Sequence, residues 1–195
     1  IDACFSDEIY AELTYTDKHA SIASKGNMAE RTVLINSFSK AFAMTGWRVG
    51  FVCAPKEIDE AMFKIHQYTI LCAPHMSQRA AVCALKDGFS DGFSVVEEMR
   101  AEYCRRGVFL VNALNSLGLK CFKPKGAFYV FPSVEKTGLD GEGFANALLE
   151  KCKVAVVPGA AFGAAGVNHV RCSYATSMRN LTIAVERISD FVNGL

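Results

Sequence analysis

The sequence predicts an α/β protein, a mostly parallel sheet flanked by helices and followed by a smaller α+β unit. Three observations lead there. Short apolar runs stand at 1–6 ("IDACFS"), 32–36 ("TVLIN") and 47–54 ("WRVGFVCA"), each too short for a helix. Two stretches of helical character, 56–70 and 75–87, follow them and are parted by Pro74. Unalternating strands followed by helices suggest a parallel sheet covered on both faces. Beyond a long amphipathic segment, the pattern changes to short strands interspersed with helices.

Taken in order, the first run gives way to a polar loop at roughly 14–31, with Gly26 and Asn27 as its turn residues. The third run is ended by Pro55, and the helix after it opens "KEIDEAMFKIHQ". Residues 94–117 predict one long helix ended by Gly118. In it Val95, Met99, Cys104, Val108, Val111 and Leu114 recur at near-helical spacing, and its early Glu and later Arg suit the helix dipole. After it, "KCFKP" and "GAFYVFP" predict short strands, then a helix near 142–151, strands in "VAVVPG" and "HVRCSYA", and a last helix near 178–193. The change of pattern places a domain boundary inside the long helix, between 1–100 and 101–195.

Composition excludes several classes. With 51% hydrophobic and 21% charged residues and a net charge of +1, the chain has neither a basic surface for nucleic acid nor an acidic tail. No apolar run approaches the ~20 residues that cross a membrane. The opening "IDACFSDEIY" turns acidic too early for a signal peptide. It also lacks a methionine and starts as a strand already in progress, so the chain is expected to be a fragment. The eight cysteines are scattered without a C-x-x-C pair, which argues against a metal ribbon and for free, mostly buried thiols in a cytoplasmic protein.

A few side chains could carry chemistry. Asp7 closes an apolar run, where it is either a helix N-cap or an acid at the ligand-binding end of a sheet, and Tyr10 follows three positions later. Lys40 stands just after "TVLIN"; it is either solvated or an amine whose charged form is disfavoured beside apolar walls. Ser37 and Arg48 could together hold a phosphate. Arg171, inside "NHVRCSYA", pairs either with a structural acid or with a ligand carboxylate. Each signal is weak alone. Together they are what pyridoxal phosphate chemistry requires: a lysine to hold the cofactor and an acid to keep its ring an electron sink.

At this point the chain resembles the class I/II aminotransferases, which are fold-type-I pyridoxal-phosphate enzymes. "SFSKAFAMTGWRVG" at 37–50 is similar to the family's lysine-attachment signature, "DEIY" to its strand-end pair, and "HVRCSYATS" to its carboxylate-binding segment. "PKGAFYVFP" and "VVPGAAFG" resemble the small-domain loops that close over the site. The resemblance implies a Schiff base on Lys40, which also shuttles the proton, with Asp7 on the pyridine nitrogen and Tyr10 on the ring 3-oxygen. It implies Ser37 and Arg48 on the phosphate and Arg171 on the substrate α-carboxylate, with no metal.

It further implies that 1–100 is the end of the large cofactor-binding domain and 101–195 the C-terminal small domain. The expected activity is transfer of an amino group between an L-amino acid and a 2-oxo acid by a homodimer, with the fragment little active alone. A carbon–sulfur β-lyase of the same fold and a non-catalytic effector domain of a transcription regulator are the alternatives. A serine acyl-enzyme built on Ser37-x-x-Lys40 and the "KTG" at 136–138 fits poorly, because no S-D-N element lies between the two motifs.

Overall fold

The computed structural model describes residues 3–195 and divides into two units, Ile1–Arg100 and Ala101–Leu195, with the boundary inside a continuous helix. The first two residues of the predicted 1–6 strand lie outside the described residues.

In the first unit, β1 (Cys4–Asp7) runs parallel to β2 (Thr32–Ser37), with Asp7 opposite Ile35. The β-branched residues of "TVLI" suit a pleated strand, and Thr32 and Val33 are fully buried. The third strand departs from expectation. β3 (Gly50–Cys53) completes the order β1-β2-β3 but lies antiparallel to β2, with Ser37 opposite Gly50. A parallel return needs a crossover of about a dozen residues or more, usually a full helix. Here the connection holds only the single turn α1 (Phe38–Ala41) and a 3-10 turn at Thr45–Trp47, and Arg48 at φ 54° turns the chain back. Gly50 permits the return: a Cβ there would sit 2.8 Å from the Asn36 carbonyl oxygen.

The sheet covered on both faces that the sequence predicts is not complete within the described residues. Phe5, Ile35, Phe51 and Val52 are all exposed. Burial lies under α1, where Phe38, Met44 and Val49 pack with Ala81 of α3 (His75–Asp91). α2 (Lys56–Thr69) buries none of its residues. α3 runs four residues past the predicted end at 87 and is stopped by Gly92 in the left-handed region, φ 69°.

The long helix α4 (Ser94–Ser116) buries Val96 in the first unit and Leu110, Val111 and Leu114 in the second. Val95 and Val108 of the predicted stripe are exposed. Periodicity could not choose within the Val95–Val96 doublet. Gly107, whose missing Cβ would meet the Tyr174 ring at 3.1 Å, centres the buried face one step away from Val108.

In the second unit β4 (Tyr129–Val130), β5 (Val157–Pro158) and β6 (Val170–Ser173) form a small antiparallel sheet in the order β4-β6-β5. α5 (Gly141–Cys152) is capped by Asp140, which accepts from Gly143 N at 2.8 Å, and α6 (Met178–Asn193) by Ser177, which accepts from Asn180 N at 3.2 Å. Phe144 and Leu148 of α5 are buried, as are Leu181, Ile188 and Phe191 of α6. "KCFKP" is not a strand. The Asn115 side chain takes over both backbone groups of Cys121, at 2.9 and 3.0 Å, and substitutes for a neighbouring strand. The thiols correct another expectation: all eight are free, but only Cys121 and Cys172 are buried, and Cys53, Cys72 and Cys83 are exposed.

Leu148 has no exposed surface. Leu148→Ala is expected to cost about 2–5 kcal/mol through lost burial and an unfilled cavity. Urea denaturation followed by circular dichroism checks this, with an unchanged midpoint as the contrary result.

Candidate functional site

The first unit gathers most of the singled-out residues at one end of its sheet. β1 and β2 are parallel neighbours, so Asp7 and Ser37, their last residues, sit at the same end, where open α/β sheets bind ligands. Ser37 is extended (φ −155°, ψ 162°) and its Oγ accepts from Ser39 N at 3.0 Å, capping α1. The cap starts the single turn that carries Lys40. Thr45 Oγ1 donates to the Ser39 carbonyl at 2.9 Å and ties the far side of the turn back to α1. Arg48 donates from Nη1 to the Thr45 carbonyl at 3.0 Å.

This local fold brings Ser37, Lys40 and Arg48 to the wall of one cavity of about 370 Å³, beside Ile9, Ser39 and Thr45. Lys40 is half-buried, not freely solvated, and its Nζ lies 5.9 Å from the centroid of the Tyr10 ring. Asp7 does not line the cavity. No helix follows it; its Oδ1 accepts from Ile9 N at 3.2 Å in a tight turn that places Ile9 on the cavity wall. A larger cavity of about 670 Å³ is lined by Phe38, Phe42, Phe51, Phe93 and Val96, but no cation faces it.

Arg171 belongs to the second unit and is described there alone. Its guanidinium carbon lies 4.5 Å from the Tyr129 ring centroid and 4.3 Å from that of Phe162, within cation–π range of both. Among the described residues no carboxylate pairs with Arg171 or with Arg48. The arginines of α4 behave differently: Arg100 pairs with Glu97, and Arg105 and Arg106 pair with Glu102. Of the two possibilities left open for Arg171, a structural acid is thus not found among the described residues. Both unpaired guanidiniums keep donors for an external anion.

Four residues that organise these sites escaped the sequence reading. Thr45, Tyr129 and Phe162 lie inside the motifs already noted, but nothing in their spacing marks them. The fourth is Glu8, only 5% exposed although it is a carboxylate. It accepts from Ser21 Oγ at 2.7 Å, Ser6 Oγ at 3.0 Å and His19 Nε2 at 2.8 Å. Burial pushes its pKa up, but those three bonds and the His19 charge outweigh burial and hold it below the ordinary carboxylate value. The acid doublet "DE" was its only trace in the sequence. Among the described residues there is no His/Cys/Asp/Glu group suited to a metal ion and no helix long and apolar enough to cross a membrane.

With this geometry in place, comparison with known proteins assigns the class. The chain belongs to the aminotransferase class I and II family, whose sequence profile matches residues 3–188. It is 50% identical over 184 residues to an aspartate aminotransferase of Pyrococcus abyssi, covering 94% of this chain and 47% of the relative. It is 47% identical over 184 residues to aromatic-amino-acid aminotransferase 2 of Thermococcus litoralis, again 94% of this chain and 47% of that protein. The crystal structure of an aromatic aminotransferase from Pyrococcus horikoshii superposes with a TM-score of 0.93 at 48% identity, over 98% of this chain and 51% of the other. The chain thus spans about half the length of the curated relatives it matches.

The lowered pKa of Glu8 bears on stability. Above the ordinary value of 4.5 the ionised Glu8 contributes fully, and as pH falls through the lower folded-state value that contribution is lost. Glu8→Gln is expected to flatten the acid limb of the urea-midpoint profile as pH falls below the ordinary carboxylate value of 4.5. An acid limb as steep as that of the unmodified protein would contradict the assignment.

Proposed function

We propose that the protein carrying this chain is a pyridoxal-phosphate-dependent aminotransferase that moves an α-amino group between an L-amino acid and a 2-oxo acid. One observation carries the reading. Ser37, Lys40 and Arg48 line a single cavity, and the Arg48 charge is matched by no carboxylate among the described residues. An amine beside a hydroxyl and a guanidinium that no described carboxylate pairs is a donor set that suits a phosphorylated aldehyde. Family membership supports the same reading.

In this proposal Ser37 Oγ and the Arg48 guanidinium hold the phosphate. Lys40 Nζ would be the amine that holds the cofactor covalently and the base that moves the substrate's α-proton. Asp7, at the end of β1, would pair with the pyridine nitrogen and favour a proton there, and Tyr10 would donate its hydroxyl to the ring 3-oxygen. When bound, the cofactor supplies an electron sink for the bond broken at the substrate α-carbon. Arg171, with Tyr129 and Phe162 beside it, offers its edge to the α-carboxylate in a bidentate pair. Contact with two rings restrains the guanidinium, so less motion is left to lose when the carboxylate binds.

The first unit then belongs to the larger cofactor-binding domain and the second is the C-terminal small domain. The protein would work as a homodimer, as members of this family usually do.

Lys40→Ala is expected to remove both transaminase turnover and the visible absorbance of bound cofactor, with less than about 1% of activity retained. Assays that follow amino transfer to a 2-oxo acid, with the absorbance spectrum recorded alongside, check both. Pyruvate and ammonia released without an acceptor would instead identify elimination.

A further inference from the structure

We propose that Glu8 is a positioning residue for the cofactor site. Its buried carboxylate staples the long polar loop to the end of β1 and thereby holds Asp7 and Tyr10 in register. The inference rests on the functional reading above.

Glu8 is the first residue past β1, and its N–H continues the ladder to the Ile35 carbonyl at 2.9 Å. Alternation along an extended chain sends its side chain to the side opposite Asp7. Asp7 is exposed and Glu8 is buried. Three donors converge on the buried carboxylate: Ser6 of β1 and Ser21 on Oε1, and His19 on Oε2. A buried carboxylate so fully bonded is unfit for acid–base exchange but well suited to hold chain segments together.

What it holds is otherwise weakly organised. Between β1 and β2 the chain forms a turn at 9–12, a bridge at Thr14 whose carbonyl accepts from Arg100 Nη1 at 3.1 Å, and two short 3-10 turns, Ile22–Ser24 and Met28–Arg31. Ser21 does two jobs, bonding Glu8 while its Oγ caps the first of those turns by accepting from Ala23 N at 3.2 Å. On the other side Glu8 begins the turns that lead through Tyr10. Its carbonyl accepts from Ala11 N at 2.9 Å, and the Tyr10 carbonyl accepts from Leu13 N at 3.0 Å. Asp7 immediately precedes this anchor and Tyr10 follows two residues on, with its ring beside Lys40. Displacing Glu8 would move both groups that meet the cofactor ring.

The test is cofactor affinity, measured by absorbance titration of the protein carrying this chain, with protease sensitivity of residues 14–31 recorded in parallel. Glu8→Ala is expected to raise the Kd for pyridoxal phosphate about tenfold or more, since three donors lose a charged acceptor. Glu8→Gln is expected to restore most of the affinity. Its amide oxygen still accepts from Ser21, and its NH2 can donate to His19 Nε2. Should Glu8→Ala fail to fold, Ser21→Ala and His19→Ala each remove one bond and are each expected to weaken binding severalfold.

Unchanged affinity in Ser21→Ala and His19→Ala, or in a folded Glu8→Ala protein with a protease-sensitive loop, overturns the positioning role while leaving the functional reading intact. Failure of the unmodified protein to bind the cofactor overturns both.

Discussion

The candidate site depends on how β2 ends. Ser37 finishes the strand in an extended conformation, faces Gly50 across the antiparallel pair, and turns its hydroxyl forward to cap the residue two places on. A single helical turn has little stability of its own, because nucleation costs more than one hydrogen bond returns. α1 survives because it is fixed at both ends. The cap holds its start, buried Phe38 roots it in the core with Met44 and Val49, and the Thr45 hydroxyl holds the Ser39 carbonyl. Lys40 has no freedom to choose its direction. It inherits one from a strand end, a serine and an aromatic ring.

The same economy governs the two arginines at the proposed phosphate and carboxylate positions. A guanidinium paired with a protein carboxylate is already satisfied and makes a poor receptor for another anion. Arg48 is held by a backbone carbonyl, and Arg171 by two rings. Neither restraint cancels the charge, and each limits motion before a ligand arrives. On α4, where Glu97 and Glu102 stand one helical turn before their arginines, the charges are mutually satisfied. There, hydrogen bonds from Arg105 and Arg106 hold the Glu102 carboxyl down at about 2.

Much of this was legible in the sequence, and the failures have physical reasons. The runs at 32–36 and 47–54 announced strands because β-branched and aromatic residues were concentrated there. Their direction was not legible, since apolar content says nothing about whether the 12 residues at 38–49 form a crossover helix or a turn back. The outcome hinged on Arg48 adopting a positive φ and on Gly50 lacking a Cβ. "KCFKP" looked like a strand because nothing local reveals that Asn115 will satisfy Cys121. In the site, the lysine and arginine positions stood out as charges in apolar surroundings. Glu8 did not, because its burial is created by Ser21 and His19, more than ten residues away. Side chains proposed to act through chemistry left a pattern, whereas Glu8, proposed to act through position, left almost none.

The central claim is that Lys40, presented by a one-turn helix at the end of β2, is the amine that carries the cofactor. Borohydride reduction of the protein loaded with pyridoxal phosphate, followed by peptide mass mapping, tests it most directly. The account predicts a pyridoxyl adduct on the peptide containing Lys40 and on no other lysine in stoichiometric amount. A stoichiometric adduct on a different lysine, or none after loading, would contradict it.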